Sequence, residues 1–175
     1  MSEVTAETEM MPQTASNVAD DAAENVMVWD DEMVLGNTAL DQTHHEFVDI
    51  LNRLAKTPEA DLLPVLDEAI AHTQTHFDLE EGWMARLNFP AAGCHVSEHT
   101  QVIGVMRMVR ERVAAGETHF AYVLATELSA WLRIHATTMD YALTYFIEST
   151  HADLSQGGEP KVGESKPPAA SCGCG

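Results

Sequence analysis

Histidine is unusually frequent in this chain of 175 residues, which contains nine His against nine Lys and Arg together. Because imidazole is the commonest metal ligand in proteins, the spacing of these histidines decides which chemistry is open to the chain. His76 and Glu80 stand four residues apart in an apolar-periodic segment, 66–87, so on a helix they share one face. The same face carries large apolar residues and therefore points inward. A buried carboxylate is costly to ionise without a partner, so Glu80 indicates a nearby cation.

Five histidines fall on apolar stripes of predicted helices, together with one inward glutamate. They are His44, His76 with Glu80, His95, His99 and His135. A single histidine of this kind is usually a hydrogen-bonded core residue, but five would each need partners for two ring nitrogens. A shared metal site would satisfy them together, and the interior of a helix bundle is a known host for such sites.

The donor set limits the metal without identifying it. Structural zinc prefers four ligands, usually with Cys among them, whereas this set offers more groups than a single ion needs. Two ions bridged by a carboxylate therefore fit better. Nitrogen and oxygen donors without thiolate suit iron, manganese or zinc, and spacing alone does not choose among these metals.

The elements that would position these residues are four amphipathic helices joined by short connections. The first is predicted to begin at Asp41 as its N-cap and to end at the break before Pro58, and Gly116 is expected to end the third. The other helices are predicted over 61–87, 94–115 and 117–150. No strand pattern competes, so the predicted fold class is all-α, an up-down-up-down antiparallel four-helix bundle. An extended N-terminal arm from Trp29 to Leu35 would lie across the core.

The fourth helix raises a question of register. Its predicted inward stripe runs through Phe120, Leu124, Leu128, Trp131, His135, Thr138, Ala142 and Tyr145. Asp140 lies five residues after His135, about 140° around an ideal helix and thus off that stripe. From spacing alone, Asp140 is predicted to be a solvated residue.

The two ends of the chain differ in composition from the bundle, which is assigned to 29–150. Residues 1–28 are rich in Ser, Thr, Ala, Glu and Asp and cannot offset their ordering entropy by burial, so we expect a disordered acidic tail. Residues 151–175 form a second predicted disordered tail, which ends in Cys172-Gly-Cys174-Gly. These thiols could form a disulfide, bind a soft metal or report redox state, and a passive tail is an equal alternative.

The net charge of −19 argues against a nucleic-acid partner and against an anionic membrane surface, because both would repel the chain. The first basic residue is Arg53, so no basic segment of a secretion signal precedes it. No apolar run approaches the roughly 18 residues that a membrane-spanning helix needs. We therefore expect a cytoplasmic protein that acts as a monomer.

Four motifs occur in order along the chain. They are Leu40-Asp41-x-x-His44, His76-Phe77-x-x-Glu80-Glu81-x-x-Met84, His95-x-x-x-His99 and Trp131-Leu132-x-x-His135-x-x-x-x-Asp140. Together they resemble the hemerythrin family, specifically its single-domain bacterial members, over about residues 29–145. Any one of these motifs alone would be weak, but the ordered set is highly specific.

The resemblance implies a non-haem di-iron site in which seven protein ligands are of the expected types. Three histidines would bind one iron and two histidines the other, which keeps an open position for O2. Two carboxylates would bridge the pair beside an oxo or hydroxo group. The resemblance implies His95, His99 and His135 as the ligands of the three-histidine iron and His44 and His76 as those of the other. It implies Glu80 and Asp140 as the bridging carboxylates.

Such a site implies reversible O2 binding for carriage, storage or delivery to an oxygen-consuming enzyme, rather than catalysis. Five neutral imidazoles and two carboxylates donate less negative charge than the carboxylate-rich sets of bundle di-iron enzymes, which favours binding O2 over activating it. The alternatives are an enzyme that acts on peroxide or nitric oxide or repairs iron centres, and an oxygen or redox sensor. A one-domain chain without a signalling module favours carriage over sensing.

Three positions depart from the family pattern. Thr43 stands where a Gln is common, Val102 where a Phe is common, and Ala136 where a large aliphatic residue is usual. The Thr43 replacement predicts the loss of a contact to a ligand. If Val102 and Ala136 line the O2 pocket, the pocket is roomier and wetter, and the oxygenated form is expected to autoxidise faster.

Overall fold

The computed structural model describes residues 25–151, and these form the predicted all-α fold. The helices are α1 (Thr38–Lys56), α2 (Leu62–Leu87), α3 (Ala92–Ala114), α4 (His119–His135) and α5 (Tyr141–Thr150). A π-helical segment, Ala136–Asp140, joins α4 and α5 into one continuous fourth rod. Each rod packs against the next, and α4 packs back on α1, which confirms the antiparallel four-helix bundle.

The start of α1 differs from the prediction. The side chain of Asn37 caps the helix by accepting the backbone N–H groups of Ala39 and Leu40, at 3.1 and 3.3 Å. The Asp41 carboxylate instead accepts the backbone N–H of Leu35 at 2.7 Å. The prediction of Asp41 as N-cap is therefore wrong, because Asn37 has the extended backbone that a cap needs and Asp41 ties the N-terminal arm to α1.

Residues with left-handed backbone follow three of the helices, and two of them lie in short turns between helices. Gly116 lies just beyond α3, as predicted, and its φ of +94° is a conformation that favours glycine. The backbone N–H of Glu117 donates to the carbonyl of Arg112 at 3.0 Å, which closes this helix end. Asn88 has the same role after α2, with a φ of 51°. Both turns keep the connections short and so hold consecutive helices antiparallel.

The predicted site residues lie between two apolar clusters in the bundle interior. On α1, His44 stands between Leu40 of the smaller cluster and Phe47 of the larger one. On the other rods, the polar positions between the two clusters include Glu80, His99 and Asp140. Burial of apolar surface stabilises the fold by roughly 25 cal/mol per Å², so these clusters are the main force that closes the bundle around its polar layer.

The part of the N-terminal arm that packs on the bundle begins at a lower residue number than predicted. Met27 is buried, and its backbone N–H and C=O both bond to the Asn52 side-chain amide, at 3.1 and 2.8 Å. Packing on the bundle therefore includes Met27, which lies two residues before the predicted start of the bundle at Trp29. The Trp29 ring lies beside that of His44, and Met33, in a short 3-10 turn, is fully buried.

The predicted tails lie almost wholly outside the described residues. This is so for 1–24 and for 152–175, which include Cys172 and Cys174. Within residues 25–151, no helix combines the length and the apolar character that crossing a membrane requires.

The predicted inward stripe of the fourth rod is wrong beyond His135. The exposed positions include Thr138, Ala142 and Tyr145, whereas the buried ones are Ala136, Asp140, Leu143, Thr144 and Ile147. The π-helical segment is the reason, because its turn contains one residue more than an α-helical turn. Every position after it is therefore shifted by one around the rod.

Candidate metal centre

Seven buried side chains from all four rods converge on one region of the interior. Their donor atoms form two sets, and within each set the atoms lie within 4.8 Å of one another. The three-histidine group contains Glu80, His95, His99, His135 and Asp140, and the two-histidine group contains His44, His76, Glu80 and Asp140. The structure therefore brings together every residue predicted as a ligand, and both carboxylates belong to both groups.

The contacts between these donors have the lengths expected around metal ions. A metal–nitrogen bond of about 2.1 Å places two ligands at right angles about 3.0 Å apart. The Nε2 atoms of His95 and His135 are 3.0 Å apart, and Asp140 Oδ1 lies 3.0 and 3.2 Å from them. His44 Nε2 is 3.2 Å from His76 Nε2 and 3.1 Å from Asp140 Oδ2. The two oxygens of Asp140 thus face different groups, as those of a bridging carboxylate would.

Among the described residues, the two shared carboxylates have no hydrogen-bond donor apart from the histidines of the site. Glu80 and Asp140 are fully buried, and the polar atoms near their oxygens are Nε2 atoms of these histidines, such as His99 at 3.2 Å from Glu80 and His95 at 3.0 Å from Asp140. An uncompensated carboxylate in the interior is strongly destabilising. Cations between the two groups would remove this penalty, so the residues present fit a buried two-metal site.

Burial and neighbouring charges raise the pKa of some groups in the site and lower the pKa of others. Burial, followed by the nearby Asp140, raises the pKa of Glu80 to about 8. Burial lowers the pKa of His76 to about 3, and burial with the neighbouring His95 also lowers the pKa of His99. For His95 itself, burial acts downward, but the Asp140 and Glu80 carboxylates outweigh it and raise the pKa to about 9.

We expect metal binding to expel protons, because a bound carboxylate must be ionised and a bound imidazole must be neutral. In the metal-free protein at pH 7, Glu80 with a pKa of about 8 and His95 with a pKa of about 9 each hold one proton, so loading should release about two per chain. The release should shrink, and metal affinity should rise, as pH increases through these two pKa values. Titration with Fe²⁺ under argon in weakly buffered solution measures the number of protons released. Loading without proton release at pH 7 would contradict this prediction.

The π-helical segment turns Asp140 toward the other donors. In an α-helix, residues five apart point in different directions, but a π turn brings them onto one face. Asp140 Oδ1 accordingly lies 3.2 Å from His135 Nε2, five residues before it. The prediction of a solvated Asp140 from spacing alone is wrong, and only the family resemblance identified this residue. One signal was available, because Leu143 and Ile147 continue an apolar stripe from Asp140 and not from His135.

Four further histidines lie outside both donor groups, namely His45, His72, His119 and His151. The His72 ring stacks on Phe47, with its Nε2 atom 3.1 Å from the carbonyl oxygen of Thr43. The Thr43 hydroxyl donates to the carbonyl of Ala39 at 2.8 Å, so it is turned to its own helix. The His45 side chain is 57% exposed.

The fold and the site together define a class of protein: an antiparallel four-helix bundle whose interior holds a cation site of histidines and two shared carboxylates. The chain belongs to the hemerythrin family, because residues 35–145 match the sequence profile of the Hemerythrin HHE cation binding domain. The matched region contains every member of the two donor groups.

Several similar proteins carry the name Bacteriohemerythrin. One from Ralstonia nicotianae is 38% identical over 131 residues, which cover 75% of this chain and 96% of that protein. One from Stenotrophomonas maltophilia is 32% identical over 135 residues, covering 75% of this chain and 86% of that protein. A third, from Pseudomonas aeruginosa, is 27% identical over 140 residues, covering 75% and 91%. These relatives confirm the resemblance to bacterial hemerythrins.

Proposed function

We propose that this chain holds two non-haem iron ions and binds O2 reversibly, as a carrier, a store or a donor to an oxygen-consuming enzyme. The observation that carries the proposal is the composition of the buried donor set, which has five imidazoles and only two carboxylates. Carboxylate-rich bundles donate more negative charge and so stabilise iron in higher oxidation states. A more neutral set favours the return of electrons and the release of O2. The name of the relatives supports the same assignment.

The two donor groups have unequal numbers of histidines, and this inequality defines where O2 would bind. His95, His99 and His135 would complete the coordination of one iron, whereas His44 and His76 leave the other with one ligand fewer. Glu80 and Asp140 would span both ions. The two-histidine group is therefore the side on which we expect O2 to enter.

The protein around the donors keeps the site dry and its geometry fixed. Apolar clusters stand on both sides of the polar layer, and they exclude water and outside reductants from it. A pair of ferrous ions, when bound, can supply two electrons to O2 and recover them on release. The contribution of the chain is to orient the imidazoles, to present the two shared carboxylates to the cations and to prevent side reactions.

Cycles of oxygenation test the proposed function. Metal-free protein is loaded with Fe²⁺ under argon, exposed to O2 and flushed again while its absorption spectrum is recorded. The expected result is a band that appears with O2 and disappears on its removal through several cycles. Steady consumption of added peroxide or nitric oxide without a reversible band would instead favour the enzyme. A protein that takes up no iron would exclude both functions.

Larger side chains at two positions beside the site are expected to slow autoxidation. Ala136 is fully buried in the larger apolar cluster, and Val102 is half-buried against it. Val102→Phe and Ala136→Ile should each lengthen the life of the oxygenated form by about three- to tenfold, where tenfold corresponds to about 1.4 kcal/mol of barrier. The decay of the oxygenated band in air measures this effect.

The matched control is Val105→Phe, which adds the same bulk on α3 at a position that is 43% exposed. Its decay rate should equal that of the wild type. Because Ala136→Ile adds volume to a packed interior, it is also expected to cost about 1–3 kcal/mol of unfolding free energy, which thermal unfolding will show. Unchanged decay in both variants would mean that neither position lines the O2 pocket.

A further inference from the structure

The His99 imidazole is held on two sides by residues outside the donor groups. The Phe77 ring stacks on it with centroids 3.7 Å apart and planes within 2°. Its Nδ1 atom lies 3.2 Å from Oε1 of Glu81, a side chain that remains 37% exposed. Since Nε2 of His99 faces the donor cluster, Nδ1 carries the proton and donates it to this carboxylate.

The His135 imidazole, on a different rod, has the same two kinds of neighbour. Trp131 stacks on it with centroids 4.4 Å apart and planes at 26°. The Nδ1 atom of His135 lies 3.3 Å from Oε2 of Glu98, which also accepts the indole N–H of Trp131 at 3.4 Å. Glu98 is 41% exposed, so its charge is carried at the protein surface at little cost.

The remaining histidines of the site have no such support. The Nδ1 atoms of His44, His76 and His95 are buried, and among residues 25–151 none of them has a hydrogen-bond partner. Both histidines of the two-histidine group are therefore without a carboxylate at Nδ1. In the three-histidine group, two of the three have one.

We propose that Glu81 and Glu98 are positioning residues for the two histidines they contact, and that they make the three-histidine group the position at which iron is oxidised first. This inference rests on the proposed di-iron site. A carboxylate that accepts the Nδ1–H of a ligating imidazole fixes the ring and makes its Nε2 atom a stronger donor. Stronger donation and added negative charge both stabilise Fe³⁺ over Fe²⁺. The step is the loss of one electron by one ferrous ion to an added oxidant such as ferricyanide, with no bond made or broken in the protein.

Zinc affinity tests the positioning role without any redox chemistry. Glu81→Ala and Glu98→Ala are each expected to weaken Zn²⁺ binding about 10–100-fold in chelator competition, the range that loss of such an outer partner usually costs. Glu111→Ala is the matched control, because Glu111 is an exposed glutamate on the same helix as Glu98. Its affinity for zinc should equal that of the wild type.

Reduction potential tests the electronic role. Glu81→Gln and Glu98→Gln keep an oxygen that can accept the Nδ1–H but remove the charge. In anaerobic titration of the diferrous protein with ferricyanide, each should move the first one-electron potential to a more positive value, while zinc affinity falls far less than in the Ala variants. A residue with a purely structural role would change thermal stability and leave this potential unmoved.

The outcomes separate this inference from the proposed function. A wild-type protein that binds zinc but no iron overturns the proposed function and the redox part of the inference with it. A wild-type protein that loads two irons, with unaltered potentials in both Gln variants and unaltered zinc affinity in both Ala variants, overturns the inference alone. Weaker zinc binding together with more positive potentials supports both of its parts.

Discussion

Replacing Asp140 by Asn is expected to abolish iron binding while leaving the bundle folded. The substitution keeps the shape of the side chain but removes the charge and one donor oxygen, and Asp140 belongs to both donor groups. Loss of an outer partner already costs about 10–100-fold in metal affinity, so loss of a shared ligand should exceed about 100-fold. Iron content after loading and dialysis should fall from about two ions per chain to well below one. Elemental analysis with far-ultraviolet circular dichroism measures both parts of the prediction.

The matched control is Glu127→Gln, the same loss of a carboxylate charge on the same rod at an exposed position. It should bind iron as the wild type does. The metal-free Asp140→Asn protein offers a further readout, because Asp140 is a main cause of the raised pKa of His95 and that pKa should fall. An Asp140→Asn protein that still holds both irons would show that Asp140 is not a ligand.

Removal of the metal is expected to lower the midpoint of thermal unfolding by about 10–20 °C. A ligand at about 1,000 times its dissociation constant stabilises the folded state by about 4 kcal/mol. For a domain of this size, each kcal/mol shifts the midpoint by about 3–5 °C. The physical cause is the pair of buried carboxylates, Glu80 and Asp140, which among residues 25–151 have only the histidines of the site beside them. Without cations, Glu80 must stay protonated at pH 7, because its pKa is raised to about 8, and the Asp140 charge is balanced only by these histidines.

Thermal unfolding of chelator-treated and reloaded protein measures this stabilisation. Zn²⁺ is the preferred ion for reloading, because it fills nitrogen and oxygen sites without redox chemistry. The Asp140→Asn variant is the control, since its unfolding midpoint should not respond to the added metal. Equal midpoints for metal-free and reloaded wild-type protein would refute the view that metal ions compensate the charges of the interior.

The histidines of the site could be predicted from sequence because each lies on a regular α-helix. His44, His95 and His99 fall on stripes with the 3.6-residue period, and burial follows from that period alone. Asp140 could not be found in this way. Its orientation depends on the π-helical segment, and no property of single residues in 136–140 specifies a π turn.

The other differences arise where tertiary contacts decide between local alternatives. Asn37 and Asp41 are both good capping residues, and the N-terminal arm decides between them. The backbone N–H of Leu35 in the arm donates to the Asp41 carboxylate, which leaves Asn37 as the cap. Glu98 is a partly exposed polar residue without any periodic signature. Its contact with His135 follows only from the packing of α3 on α4, which the sequence does not display.

Because of the wide turn at Ala136–Asp140, this part of the chain should tolerate the loss of one residue better than the gain of one. A chain one residue shorter, lacking the exposed Thr138, could close the segment into ordinary α-helical turns and would place Asp140 four residues after His135. The aspartate and the apolar residues behind it would then still face inward. A chain one residue longer could not be accommodated in this way, because the π-helical turn already contains one residue more than an α-helical turn. In the evolution of the gene, a lost codon at this point is therefore far less damaging than a gained one.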